Sequence, residues 1–250
     1  MNMENFKSLE EVKSFTQKLN WEESQIDELE KKFNSLAMYF LYGGYIRVLD
    51  RYRIYIQCVE FYFHSERENG IKDPIVYHRN NYHVDGELPY FIPFTLHAHA
   101  SGFDIAFENP EEEYRASVLI RKYTLYDEDK RKYLNYKSDF RKIFDEHNNK
   151  EIKEGKFIYA DEPKINTQSL YLYDILNGFG DAGIISWVHE LSEQYRTGTC
   201  SLKLPATRQN VPQYEYDQKE KEYIKKIKDY NKDNKPIYEP CTRKWSFSRK

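Results

Sequence analysis

One run of residues constrains this chain more than any other: RIYIQCVEFYF at 53–63. Its β-branched and aromatic residues read as a strand, long enough to lie at the centre of a sheet. YIRVLD (45–50) reads the same way, and DRYR (50–53) between them reads as a hairpin turn. One residue does not fit. Glu60 interrupts an otherwise apolar and aromatic stretch, where a carboxylate is costly unless it is paired or functional.

Further strands follow. YFIPFTLHAHA (90–100) and FDIAFE (103–108) read as a pair hinged at Ser101-Gly102. Pro93 marks the first as an edge strand or a bulged one. RASVLIRKYTLY (115–126) is the clearest strand of all. Between residues 64 and 89 lies a long polar loop with Gly70, Pro74, Gly86 and Pro89. Long loops in a folded domain are commonly functional. Helical spacing appears at both ends. Ser8 and Glu11 have capping-box spacing, and Ile26, Leu29 and Phe33 share one helical face. Segments 132–147, 169–180, 181–195 and 216–231 are expected to be helices, 201–212 extended, and 243–249 one more strand. Clustered strands followed by helices indicate α+β rather than alternating βαβ units. The expected architecture is a single domain with a central, mostly antiparallel curved sheet flanked by helices. Residues 1–35 form an N-terminal helical segment and 36–250 the main α+β domain.

Composition narrows the class of partner. Of 250 residues, 40% are apolar, enough for a core, and 32% are charged, so the surface is well solvated. Net charge is -3, not the strongly basic balance of a nucleic-acid binder. The charge is unevenly spread. Residues 1–36 carry five Lys against eight acids, and 199–250 carry thirteen Lys or Arg against seven acids. Only that second segment offers an electrostatic footprint. The 23 Tyr bring flat apolar faces with one polar tip, suited to a half-wet groove. Cys58, Cys200 and Cys241 are far apart, with neither metal-ligand spacing nor a disulfide framework. No apolar leader opens the chain and no apolar run is long enough for a membrane. The expectation is a soluble protein of the reducing cytoplasm, with no membrane partner.

Familiar motifs fail. His189-Glu190 opens like a zinc-protease helix, but residue 193 is Glu where the second His belongs. His97-Ala98-His99 sets two imidazoles on one strand face, yet a metal needs a third ligand. LNGFGDAG (176–183) follows a helix rather than a strand, the wrong context for a dinucleotide loop. No metal and no cofactor is expected. What remains is Glu60 in VEFYFHSE (59–66), Tyr77 and His78 in IVYHRN (75–80), Asp104 in another apolar strand, and Arg121 closing VLIR (118–121). Two carboxylates and an arginine rising from one sheet form either a cleft site or a buried ionic network that holds the fold.

The order of these pieces resembles the alkyladenine (3-methyladenine) DNA glycosylase family. CVEFYF, YHRN, GELPYFIPFTLHAHASGFDI and SVLIR follow one another as that family's base-bearing strand, loop, pocket strand and arginine strand do. GGYIRVLDRYRIYIQCVE resembles its opening hairpin, LPATRQNV its T-P-R segment, and RKWSFS a late strand. The likeness covers residues 36–126 best. It implies a monofunctional glycosylase that flips a modified base from double-stranded DNA, as in base excision repair, and hydrolyses its N-glycosidic bond without a covalent intermediate. By the same likeness Glu60 is the base that activates water and Arg121 orients it. Tyr62, His78 and Tyr77 line the base pocket, and Asp104 replaces the pocket's Asn. His97 stands at the wedge that fills the duplex gap. An ionised Asp only accepts hydrogen bonds, so a base offering an exocyclic amine would be favoured. The alternatives are a non-catalytic nucleic-acid or protein binding module that keeps the fold, and a hydrolase of small N-glycosides.

Overall fold

The long strands form because apolar and polar side chains alternate along them with period 2. The computed structural model describes residues 6–48, 50–73, 75–76, 78–81, 85–99, 102–134, 186–208 and 243–250. Strand β1 (Gly44–Val48) turns back into β2 (Tyr52–Ser65), which pairs along its whole length with β5 (Tyr114–Asp127). Two short strands, β3 (Leu96–His99) and β4 (Gly102–Ala106), extend the far side of β5. The remaining three are β6 (Lys132–Leu134) on β5, β7 (Trp187–His189) on β1, and β8 (Ser246–Ser248) on β2. The order is β3-β4-β5-β2-β1-β7, every pairing is antiparallel, and the sheet is curved. The architecture is α+β in one domain, as expected.

One face of this sheet is the core. Val59, Phe61 and Phe63 on β2 share it with Ala116, Val118 and Ile120 on β5 and Phe103 and Ile105 on β4. Helix α2 (Ile26–Tyr42) covers that face. Its Phe33 stacks on Phe61 at 4.5 Å and meets Trp245 edge-on at 5.1 Å. Helix α1 (Leu9–Thr16) begins as its spacing predicts: Ser8 Oγ accepts the Glu11 N–H, and Glu11 reaches back to the Lys7 N–H. The boundary drawn at 35/36 falls inside α2, which continues to Tyr42.

Local pattern misled in three places. Residues 181–195 were expected to be one helix, but Trp187–His189 is strand β7, and among the described residues of this stretch the helix is Glu193–Thr197 (α3). Pairing decides the matter: Tyr45 opposes Val188, and Trp187 Nε1 donates to Tyr39 Oη at 3.0 Å. Gly44 permits the close approach, since a Cβ there would lie 2.2 Å from the Val188 carbonyl. Residues 132–134 were expected to open a helix and instead form β6, with Leu134 opposite Leu125. The strand expected from residue 90 begins only at Leu96, because Phe94 takes a left-handed φ of 62° after Pro93. Pro93 did signal the edge correctly, since β3 ends the sheet. The helices expected at 169–180 and 216–231, all of 135–147, the glycine-rich 176–183 and Tyr77 lie outside the described residues.

Candidate functional site

The second face of the sheet is polar, although it is buried. A bulge on β2 at Gln57–Cys58 shifts the register with β5 by one residue, and a second irregularity opposite it, at Arg121 on β5, restores the register. Before it the even residues Ile54 and Ile56 face the core; after it the odd ones, Val59 and Phe61, do so. Bulges re-aim side chains in this way. Beyond the bulge, Glu60 opposes Leu119, Leu119 opposes Asp104, and Asp104 opposes His97. Opposed residues share a face, so one row across four strands carries Glu60, Asp104 and His97. Glu60 and Asp104 are two strands apart, about 10 Å between α-carbons.

Glu60 is 0% exposed and Arg121 2%. Arg121 Nε donates to Glu60 Oε2 at 2.6 Å, and the Tyr62 hydroxyl donates to the same oxygen at 3.2 Å. Arg121 Nη2 also donates to the Tyr62 oxygen at 3.3 Å. Burial, and then the neighbouring Glu60 carboxylate, push the Tyr62 phenol up, so it keeps its proton and acts as a donor. Asp104 is buried and accepts from Ser117 Oγ at 2.9 Å.

His97 does not stand as a loose wedge. Its ring stacks on Phe91 at 3.5 Å, and its Nε2 lies 2.7 Å from Thr95 Oγ1. Thr95 gives its single hydroxyl proton to the Ile92 carbonyl at 2.6 Å, so Nε2 of His97 carries the hydrogen in this contact. Burial lowers the His97 pKa. His78 stacks on the opposite side of Phe91 at 3.4 Å.

Sequence reasoning missed several residues of this face. Glu108 is buried; it accepts from His78 Nδ1 at 3.0 Å, the Phe91 N–H at 2.7 Å and Arg115 Nη1 at 3.1 Å. Arg115 also bonds Glu66, Asn80 and the carbonyls of Leu88 and Pro89. Asp73 and Arg208, both fully buried by side chain, pair at 2.6 Å, and Arg208 lies over the Tyr62 ring at 4.8 Å. Strand parity was the available signal for two of these. Glu108 continues the parity of Asp104, and Arg115 that of Arg121. The likeness of LPATRQNV to a T-P-R segment takes in Arg208 without giving it a role, and nothing in the local sequence marks Asp73.

Among the described residues, no group of three or more His, Cys, Asp or Glu side chains is arranged to hold a metal. Nor is any described helix long and apolar enough to cross a membrane. The geometry offers a carboxylate fixed by a cation and a phenol, with a second carboxylate two strands away in the same row. That arrangement suits proton transfer to and from water or a polar substrate. No family model, curated protein or solved structure matches this chain.

Proposed function

We propose that this protein hydrolyses the N-glycosidic bond of a modified base, turned out of double-stranded DNA, with Glu60 activating the water. The observation that carries the reading is the convergence of Arg121 and Tyr62 on Glu60 Oε2, in the same row as Asp104. A general base works only when oriented, and Arg121 with Tyr62 supplies the orientation. Asp104 supplies an acceptor for a base carrying an exocyclic amine, and the aromatic ring of Tyr62 supplies apolar surface for a flat ligand.

The test uses purified protein and duplexes bearing alkylated, deaminated or hypermodified bases, with chromatography of released base as the readout. Release is expected from at least one duplex. Glu60→Gln should abolish release and leave DNA binding intact. Absence of release from every duplex, or release by E60Q at the wild-type rate, overturns the proposal. One observation favours a second reading. Glu60 and Arg121 are almost wholly buried, as an ion pair that stabilises a non-catalytic binding module would be. On that reading E60Q lowers the melting temperature and there is no activity to lose.

A further inference from the structure

Three described histidines stand on or over the polar face, and their hydrogen bonds set them apart. His64 Nδ1 accepts the Asp73 N–H at 3.0 Å, so that nitrogen carries no proton. Burial, then the charges of Lys72 and Arg79, hold the His64 pKa well down. His97 is spent on Thr95 and is lowered by burial. His78 is different. Its Nδ1 meets Glu108 Oε1 at 3.0 Å. A carboxylate bound to Arg115 and to a backbone N–H only accepts, so His78 Nδ1 donates. This is the arrangement by which a carboxylate fixes the tautomer and orientation of an imidazole.

The support behind the pair is rigid. Glu108 is 3% and Arg115 0% exposed by side chain. Arg115 is stacked on Tyr90 at 3.6 Å and tied to Glu66, Asn80, Leu88 and Pro89. Gln17, just after α1, donates to the Glu108 carbonyl at 3.4 Å. Among the described residues, the charged and titratable groups around His78 include Glu108, Arg115 and Glu66 behind Nδ1, Tyr90 beside Arg115, and His97 and Asp104 beyond Phe91. Through Phe91 the ring stacks toward the row that ends in Glu60.

We propose that His78, positioned by Glu108, is the proton donor to the leaving base, opposite in role to Glu60. The proposal rests on the hydrolytic reading above. In the step, the bond between the sugar C1′ and the base nitrogen breaks and its electron pair goes to the base. The base takes a proton through His78 Nε2. Water bonds to C1′ and gives its proton to Glu60. Solvent then returns a proton to His78 and removes one from Glu60, so the net change is addition of one water.

Two readouts separate this proposal from the reading it rests on. The first needs no substrate: nitrogen-15 NMR of histidine-labelled protein reports the tautomer of each ring. Neutral His78 is expected to carry its proton on Nδ1, and Glu108→Gln should shift that balance toward Nε2. A wild-type His78 with its proton on Nε2, or one indifferent to E108Q, overturns the proposal whatever the activity. The second is the pH profile of single-turnover release from whichever duplex proves to be cleaved. His78→Gln should slow release by about 100-fold or more, in the range usual for a lost acid, and remove the alkaline limb. E108Q, which loosens the His78 tautomer, should slow release as well. An unchanged profile in both variants overturns the acid role. H78Q leaves the Glu108–Arg115 pair in place, so it serves if E108Q folds poorly.

Discussion

At the scale of single residues, the polar face holds buried charges, several of them matched in ion pairs. Arg121 to Glu60 and Arg208 to Asp73 are the tightest of these pairs. Removing one partner strands the other charge away from water. Arg121→Met is therefore expected to cost about 3–5 kcal/mol in urea denaturation. The double variant with Glu60→Gln should recover much of that loss, and failure to recover it would show that the pair is not the cause. His64 sets a pH dependence. Its folded pKa is held well below the ordinary value by burial, whereas the unfolded chain takes up a proton near pH 6.5. The contribution is thus complete above about pH 6.5 and is lost as the pH falls toward the folded value, with a slope of about 1.4 kcal/mol per pH unit for one proton. His64→Asn keeps an acceptor for the Asp73 N–H and should flatten this part of the stability profile. Equal slopes in both proteins would exclude His64 as its source. Glu60 and Arg121 could be picked from sequence because each interrupts an apolar run. Glu108 lies at the end of one, where a charge is unremarkable.

At the scale of elements, β2 and β5 do most of the positioning. Their alternation puts one set of side chains under α2 and the other into the polar layer. The Phe33 ring ties α2 to β2 through Phe61 and to the C-terminal strand through Trp245. Phe33 is 0% exposed. Phe33→Ala should cost about 3–5 kcal/mol, measured by thermal or urea unfolding, and a loss below about 1 kcal/mol would mean that the site collapses to fill the cavity. These long strands were legible because period-2 alternation over many residues is a local property. The short strands β6 and β7 were not. Each has only three residues, too few for a period, and each exists because an unpaired edge of the sheet lies beside it. Trp187 and Val188 suit a helix face as well as a strand, and the β1 edge settles the choice.

At the scale of the whole molecule, distant parts of the chain converge on β2. Strand β8 pairs with Cys58–Glu60, the Phe61 N–H donates to the Trp245 carbonyl at 2.9 Å, and Trp245 Nε1 donates to Glu30 on α2 at 3.0 Å. Arg208 reaches the same strand through the Phe61 carbonyl and the Tyr62 ring. Near the other terminus, the Tyr114 hydroxyl donates to the Thr16 carbonyl, and Trp21 Nε1 bonds Glu112. A variant ending at residue 242 is expected to lose amide protection across residues 58–61, read by hydrogen exchange. Protection equal to that of the full chain would show that β8 is dispensable to the strand that carries Glu60.

The sequence by itself determined the long strands, the hairpin between them, the cap of α1, the α+β class, and the oddity of Glu60. All of these follow from spacing within a few residues. Tertiary structure alone decided which side chains meet. The row from Glu60 through Leu119 and Asp104 to His97 depends on three strand registers, and the His78–Glu108–Arg115 cluster depends on a loop folding back over β4. A register shifted by one residue would send the same side chains to the opposite face. Bulges and non-local pairings fix that register, and their energies are summed over the whole sheet rather than written in any one segment.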